Sequence, residues 1–257
     1  MNKFGDLPPD LLAVVDSLRT PKQIQEFIDG LEYDYEETCP AETLARGKTE
    51  CLGGALLAAY LLKRAGYKVW LMELSPKKVD GNLIDEEHIL AVYLDENGLY
   101  GSIAQSKFTD LRSKQGYKTP KALAKSYERN YFNYNCQYSL ESHTDLVSLD
   151  NYPDYVTNSD TAIQASLDMR QMEHHSIIDK DSPIGDVPHE EFWAQVKPEA
   201  IPPGTVFPER LEKTRPQHPW YNIPMDKIKE KLLELQQELA DLKLQLDFDA
   251  KPQQIRE

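Results

Sequence analysis

The chain has 257 residues, of which 40% are hydrophobic and 28% charged, the balance of an ordinary globular protein with one domain plus extensions or two small domains. Its formal net charge of −14 argues against nucleic acid or an anionic membrane surface as a partner, because both require a basic footprint. Three cysteines do not form a disulfide framework, and neither a signal peptide nor a membrane span is recognisable, so we expect a cytoplasmic protein.

The first fifty residues predict short helices. Residues 7–30 predict two of them, and the second has Thr20 as N-cap with Gln23 closing a capping box. Residues 31–37 are acidic and aromatic and predict a loop or a short extended piece, whereas residues 40–45 predict one helical turn.

A long helix follows, which Thr49 is predicted to cap and Gly66 to end. Cys51 then lies in its first turn. Gly53 and Gly54 each cost a helix roughly 1 kcal/mol relative to alanine, which favours the close approach of another backbone or of a substrate. The apolar residues at helical spacing are Leu52, Ala55, Leu56, Ala59 and Leu62.

Three strands are predicted after this helix, at residues 68–74, 88–94 and 99–105. Asp95-Glu-Asn-Gly98 supplies the hairpin turn between the second and the third. A helix followed by an antiparallel unit indicates an α+β fold.

Further helices are predicted from Thr119 and from Ser159. Residues 181–224 contain nine prolines, which predicts a linker or a segment strapped along the surface. Bulky residues that favour the strap are Phe192, Trp193, Phe207, Trp220 and Tyr221.

The last predicted helix has apolar residues alternating at spacings of four and three, as in a coiled coil. They are Ile228, Leu232, Leu235, Leu239, Leu242 and Leu246. We therefore divide the chain into a domain at residues 1–178, a proline-rich strap at 179–224, an amphipathic helix at 225–248 and a tail at 249–257. The amphipathic helix is expected to pair with its own copy or another helix, or to fold back on the domain.

Cys51 and His88 are the residues whose placement indicates chemistry. A thiol at a helix N-terminus is favoured as thiolate, and an imidazole on a neighbouring strand can accept and return its proton. Strand alternation places His88, Leu90 and Val92 on one face, so the two groups meet if that face packs on the Cys51 helix. The acidic run at 85–87 would then raise the pKa of His88. The competing interpretation is a buried, inert cysteine and a histidine that bonds a loop.

Four stretches of the chain resemble the transglutaminase-like superfamily of papain-like cysteine enzymes, in particular its microbial transglutaminase-like domain proteins. They are Leu31-Glu-Tyr-Asp-Tyr35, Thr49-Glu-Cys-Leu-Gly-Gly-Ala-Leu-Leu-Ala-Ala59, Asp85-Glu-Glu-His-Ile-Leu-Ala-Val92 and Leu99-Tyr-Gly-Ser-Ile-Ala-Gln-Ser-Lys-Phe108, and Ser126-Tyr127 looks similar too. The resemblance covers about residues 10 to 178. It implies a papain-like core in which Cys51 is the nucleophile and His88 the base. It further implies a thioester formed from an amide or another acyl carbonyl, with the oxyanion held by the Cys51 N–H and, as our candidate, Tyr35.

The family usually has an aspartate on the next strand to orient the histidine, and Ala104 holds that position here. Ser102, Gln105 and Ser106 are the nearby polar substitutes, and none of them carries a charge. Loss of such a carboxylate costs about 10⁴ in rate in a serine triad.

Metal and cofactor sites are not expected. His174 and His175 beside Glu173 suggest a zinc site. Adjacent residues on a predicted helix point about 100° apart, however, so the two imidazoles do not form a pair of ligands on one face. Cys39 precedes Pro40 and is expected only to occupy the N-cap position of the helical turn that follows. The chain has no phosphate-binding loop, dinucleotide fingerprint or nucleophilic serine elbow.

The sequence therefore predicts an α+β, transglutaminase-like cysteine enzyme that hydrolyses a peptide or isopeptide bond of a peptide or protein substrate. Cys51 is the predicted nucleophile and His88 the general base and acid, with Ser102 or Gln105 as a neutral orienter. A catalytically silent binding module, favoured by Ala104, and an amine acyltransferase remain as alternatives.

Overall fold

Helices, a six-stranded antiparallel sheet and two two-stranded sheets make up a mixed α+β fold, as the sequence predicts. The computed structural model describes residues 6–196 and 207–214, all of which belong to one compact unit spanning Met1–Arg215. The helix 225–248, the tail 249–257 and the anchors Trp220 and Tyr221 lie outside the described residues. Within the described part of the chain, no helix has both the length and the apolar character that a bilayer span requires.

The helices begin at the kinds of residue that the sequence indicates. In α2, Gln23 N–H donates to Thr20 Oγ1 over 3.3 Å and Thr20 N–H donates to Gln23 Oε1 over 3.1 Å, which confirms the capping box. Thr119 caps α5 as predicted, but Asn158 rather than Ser159 caps α6. The helices are α1 (Pro9–Val15), α2 (Pro21–Asp29), α3 (Pro40–Arg46), α4 (Cys51–Arg64), α5 (Pro120–Lys125), α6 (Ser159–Gln171), α7 (His189–Gln195) and α8 (Glu209–Glu212), with 3₁₀ turns at Thr109–Leu111 and Leu149–Asn151.

The main sheet has the strand order β10-β9-β3-β6-β7-β8, and every neighbouring pair in it is antiparallel. Three of its members, β8, β9 and β10, lie where no strand was expected. Strand β10 carries His174 and His175, which are therefore not on a helix end. The strands are β1 (Glu32–Tyr33), β2 (Lys48–Thr49), β3 (Lys68–Pro76), β4 (Lys78–Val79), β5 (Asn82–Leu83), β6 (His88–Leu94), β7 (Tyr100–Ile103), β8 (Ser113–Tyr117), β9 (Leu140–Thr144) and β10 (His174–Ser176).

The two faces of β6 pack against different parts of the molecule. Ile89, Ala91 and Tyr93 share a hydrophobic core with α4, whereas Leu90 and Val92 belong to a second core on the opposite face. By strand alternation His88 lies on the side of Leu90 and Val92. The His88 face therefore does not pack on the Cys51 helix. Cys51 and His88 are each the first residue of their element and meet at a shared cavity.

The two glycines of α4 are explained by neighbours within the chain. A Cβ on Gly54 would stand 2.8 Å from Gln105 Cβ and 3.3 Å from Gln105 N. A Cβ on Gly53 would stand 2.6 Å from Thr49 Oγ1 and 2.9 Å from Thr43 Oγ1. Because these side chains are absent, the segment after β7 that contains Gln105 and a group of threonines can pack against the start of α4.

The described residues beyond 178 lie on the second core and form no core of their own. Phe192 is fully buried, and Trp193 and Phe207 stand with ring centroids 5.2 Å apart. Arg210 forms an ion pair with Asp186 and donates to the Asn135 carbonyl oxygen at 3.0 Å. Two short helices, α7 and α8, each preceded by a proline, are part of this strap.

Candidate active site

Cys51 is the first residue of α4 and is mostly buried, with a small exposed fraction. The N-cap of this helix is Glu50 and not Thr49, which belongs to β2. The Glu50 carboxylate accepts hydrogen bonds from Leu52 N at 2.5 Å and Gly53 N at 2.6 Å. Glu50 therefore takes the N–H groups with which a helix start stabilises a thiolate.

The surroundings of Cys51 favour the protonated thiol. Burial, followed by the negative charge of Glu50, raises the pKa of Cys51 well above its ordinary value, and a hydrogen bond from the Ile89 backbone opposes this only in part. The expectation of a thiolate stabilised by the helix is therefore wrong for this arrangement. Burial also raises the pKa of Glu50 to about 7, so the charge beside the sulfur changes near neutral pH.

His88, the first residue of β6, is buried and has a defined tautomer. Its Nε2 lies 2.8 Å from the Leu111 carbonyl oxygen. Since a carbonyl oxygen can only accept, Nε2 carries the proton, and Nδ1 of the neutral ring has a free lone pair. The rings of Tyr127 and Tyr131 pack edge-on to the imidazole at centroid distances of 6.5 and 6.4 Å.

The acidic run before His88 does not raise the pKa of the histidine. Burial lowers the pKa of His88 to about 4, and the Leu111 hydrogen bond opposes that shift. Asp85 accepts a hydrogen bond from Ser139 Oγ at 2.6 Å, and Glu86 pairs with Lys107 at 2.7 Å. The prediction of an imidazolium stabilised by residues 85–87 is wrong.

Neither predicted orienter forms a hydrogen bond with His88. Ser102 Oγ lies 2.7 Å from Tyr127 Oη. Gln105 Nε2 donates to the carbonyl oxygens of Ile28 and Leu31 at 2.9 and 3.2 Å, which ties the strand end to the loop after α2. The orienting group is instead the Leu111 carbonyl oxygen, which a sequence cannot mark because every residue has one.

Cys51 and His88 line the same small cavity, with a volume of about 30 Å³. That volume is enough for about one or two water molecules. Among the described residues no hydrogen bond links Sγ to the imidazole, so the two groups share the cavity without direct pairing. The other lining residues are Tyr33, Asp85, Glu86, Glu87, Ser106, Lys107, Phe108, Leu111 and Tyr131.

Of the two tyrosines in the Tyr33-Asp-Tyr35 segment, Tyr33 and not the predicted Tyr35 lines this cavity. Tyr35 is 50% exposed and contacts the Tyr33 ring edge-on at 5.3 Å. Burial, and then the nearby Cys51, raise the pKa of Tyr33, so its hydroxyl remains a hydrogen-bond donor. The sequence reasoning overlooked Tyr33 because the alternation Tyr-Asp-Tyr gives no sign of which ring turns inward.

A cation closes one side of the cavity. Lys107 is 6% exposed, forms its ion pair with Glu86, and lies 4.7 Å from the Tyr134 ring centroid. Tyr134 in turn packs on Phe207 of the strap at 5.7 Å. Residues beyond 178 thus help to hold Lys107 in place.

Within residues 6–196 and 207–214, no three or more His, Cys, Asp or Glu side chains are grouped to hold a metal ion. The chain matches no model of a known protein family and no curated protein. The chemistry assigned to the site therefore depends on its geometry.

Proposed function

We propose that this protein is a transglutaminase-like cysteine enzyme with a papain-like core, which cleaves an amide through a thioester on Cys51. The observation that carries the proposal is the tautomer of His88. With Nε2–H donated to the Leu111 carbonyl oxygen, Nδ1 is the basic atom of a ring that shares a cavity with the thiol.

The reaction begins from a neutral pair. His88 Nδ1 accepts the Cys51 proton, directly or through one water molecule, as the sulfur attacks the acyl carbon and an oxyanion forms. The oxyanion receives hydrogen bonds from the Cys51 N–H and, in place of Tyr35, the Tyr33 hydroxyl. The proton on Nδ1 then passes to the departing amine, which leaves a thioester, and water hydrolyses the thioester with Nδ1 again as the base.

The carbonyl partner of His88 sets the limits of this chemistry. It fixes the ring and the tautomer as a carboxylate would, but it has no charge to stabilise the imidazolium that forms during attack. We therefore expect slow turnover that increases with pH as more of the thiol ionises.

The acyl-enzyme itself is the test. We would incubate the full chain with p-nitrophenyl acetate, follow the release of p-nitrophenol, and locate the acetyl group by mass spectrometry. We expect a burst and an acetyl thioester on Cys51, with both lost in Cys51→Ala and retained in the matched variant Cys136→Ala. Acetylation of Cys51→Ala at the wild-type rate would refute the proposal.

The second candidate is a catalytically silent binding module, favoured by the raised pKa of Cys51 and the apolar Ala104 where a carboxylate is expected. It predicts no burst from the wild type. A third candidate, an amine acyltransferase, predicts that an added amine outcompetes water for the acetyl group. We further propose a peptide or protein substrate, a cytoplasmic location, and assembly through a coiled-coil-like helix at residues 225–248.

A further inference from the structure

Three polar side chains meet beside the outermost strand of the main sheet, and none of them lines the Cys51 cavity. Lys114 lies on β8, Asp110 in the 3₁₀ turn before it, and Asn130 in the turn after α5. Lys114 Nζ lies 3.2 Å from Asn130 Oδ1, and Asn130 Nδ2 lies 3.1 Å from Asp110 Oδ2. The Asn130 carboxamide therefore stands between an amine and a carboxylate.

The two partners fix the orientation of the Asn130 carboxamide. A lysine ammonium can only donate and an ionised carboxylate can only accept, so Oδ1 faces Lys114 and Nδ2 faces Asp110. The amide carbon Cγ lies one C=O bond, about 1.2 Å, beyond Oδ1. Lys114 Nζ therefore needs to move only a short way to reach Cγ, and the nitrogen that would leave already contacts a group able to carry protons.

Lys114 differs from the lysine on the Cys51 cavity in its partner. Lys107 is paired with Glu86, whereas Lys114 forms no ion pair within the described residues and donates to the amide oxygen. Its Nζ lies 5.4 Å from the centroid of the buried Tyr127 ring. Burial lowers the pKa of Lys114, although Asp110 opposes that shift. A larger fraction of this amine is therefore neutral, and so nucleophilic, than burial in a full ion pair would allow.

We propose that Lys114 and Asn130 become joined by an isopeptide bond, which the folded chain forms by itself with the release of ammonia. The observations that carry this proposal are the two contacts of the Asn130 carboxamide and the half-buried amine beside it. The crosslink does not involve Cys51, so it goes beyond the proposed function and does not depend on it.

The atoms and charges of this step balance without an added reagent. Asp110 accepts one proton from the Lys114 ammonium, and the neutral Nζ attacks Asn130 Cγ. A second proton passes from Nζ to Nδ2, the Cγ–Nδ2 bond breaks, and ammonia leaves as the Cγ–Nζ amide forms. Ammonia then takes the proton from Asp110, so the products are a secondary amide, an ammonium ion and the original carboxylate. Nothing is oxidised or reduced.

The crosslink ties the edge strand β8 to the turn after α5. The segment between Asp110 and Lys114 includes Leu111, whose carbonyl oxygen lies 2.8 Å from His88 Nε2. A covalent bond at Lys114 therefore helps to hold in place the carbonyl that fixes the tautomer of His88.

Mass spectrometry of the full chain tests the bond directly. We would denature the purified protein, record its intact mass and fragment its proteolytic peptides. We expect a mass below that of the sequence by one ammonia molecule, and a branched peptide in which Lys114 is joined to Asn130. Lys114→Arg and Asn130→Ala should each abolish the branched peptide. The matched control Lys118→Arg, which changes an exposed lysine close by in the sequence, should retain it.

Two further variants separate this chemistry from other routes to the same bond. Asp110→Asn should lower the crosslinked fraction after a fixed incubation by at least about tenfold, since its amide cannot accept a proton from the ammonium. Cys51→Ala should leave the crosslinked fraction unchanged. Loss of the bond in Cys51→Ala would mean that Cys51 forms it, and would overturn a crosslink made by the fold alone.

The wild type decides the outcome even if a variant does not fold. A wild-type protein without the branched peptide overturns the inference. An ammonia loss that persists in Lys114→Arg overturns it too, because an asparagine that cyclises onto its own backbone also releases ammonia.

Discussion

His88 and His174 belong to the same antiparallel sheet, but their ring nitrogens have different partners. His88 donates Nε2–H to a carbonyl oxygen and keeps Nδ1 unprotonated, on a ring that lines the Cys51 cavity. His174 has Nδ1 against a carbonyl oxygen and Nε2 against a carboxyl oxygen, so both of its nitrogens are occupied. The comparison indicates that hydrogen-bond partners, and not position on a strand, determine which histidine has a free basic atom.

The largest effect on the rate of Cys51 acetylation should come from removing the basic atom Nδ1 of His88. We expect His88→Gln to lower the rate of Cys51 acetylation by roughly 10²- to 10⁴-fold, because glutamine cannot accept the thiol proton. His174→Gln is the matched control and should retain the rate. The measurement is the p-nitrophenol burst, and a similar loss in both variants would show that the two histidines do not differ in role.

The pH dependence of the free energy of unfolding should show that His88 is buried and neutral. Burial lowers its pKa to about 4 from 6.5, so between these pH values the unfolded chain binds more protons than the folded one. As the pH rises from 4 to 6.5, the free energy of unfolding of the wild type should therefore increase relative to that of His88→Gln, by up to about 3 kcal/mol. Urea unfolding of both proteins at several pH values from 4 to 7 measures the difference. A difference that stays constant over this range would mean that the ring is exposed or paired with a charge.

Removing the Glu50 carboxyl group should have a smaller, pH-dependent effect on the reactivity of the Cys51 thiol. Since burial and then the charge of Glu50 raise the pKa of Cys51, Glu50→Gln should speed alkylation by iodoacetamide by up to about tenfold. The gain should grow as the pH rises through 7, where Glu50 itself ionises.

Glu73→Gln is the matched control for Glu50→Gln, since it removes another buried carboxyl group that does not cap α4. Its alkylation rate should equal that of the wild type. An equal gain in both variants would indicate a general charge effect on the protein and not a local one at the start of α4.

The smallest effect should come from the predicted orienter that the structure places elsewhere. Ser102→Ala removes the 2.7 Å contact with Tyr127 Oη and should cost about 1 kcal/mol of stability. The acetylation rate should not change, because Leu111 holds the imidazole. A large loss of rate without unfolding would restore Ser102 to the catalytic group.

Local patterns in the sequence predicted most of the elements near the site. The capping box of Thr20 and Gln23 and the α4 apolar repeat are short-range features, so they can be read along the chain. The sequence does not predict strand β8, whose residues are mostly polar and exposed, or strands β9 and β10, which depend on pairing with segments distant along the chain. Tyr33, Lys107 and Leu111 were overlooked for the same reason, since their positions depend on contacts across the fold.

The sequence by itself determined that a thiol begins a helix and an imidazole begins a strand, because caps and periodicity act between residues a few positions apart. Only the tertiary structure decided the face on which His88 lies, the carbonyl that fixes its tautomer and the carboxylate that opposes a thiolate at Cys51. Burial and partners brought together from distant segments set these protonation states, and neither is a property of the residue type.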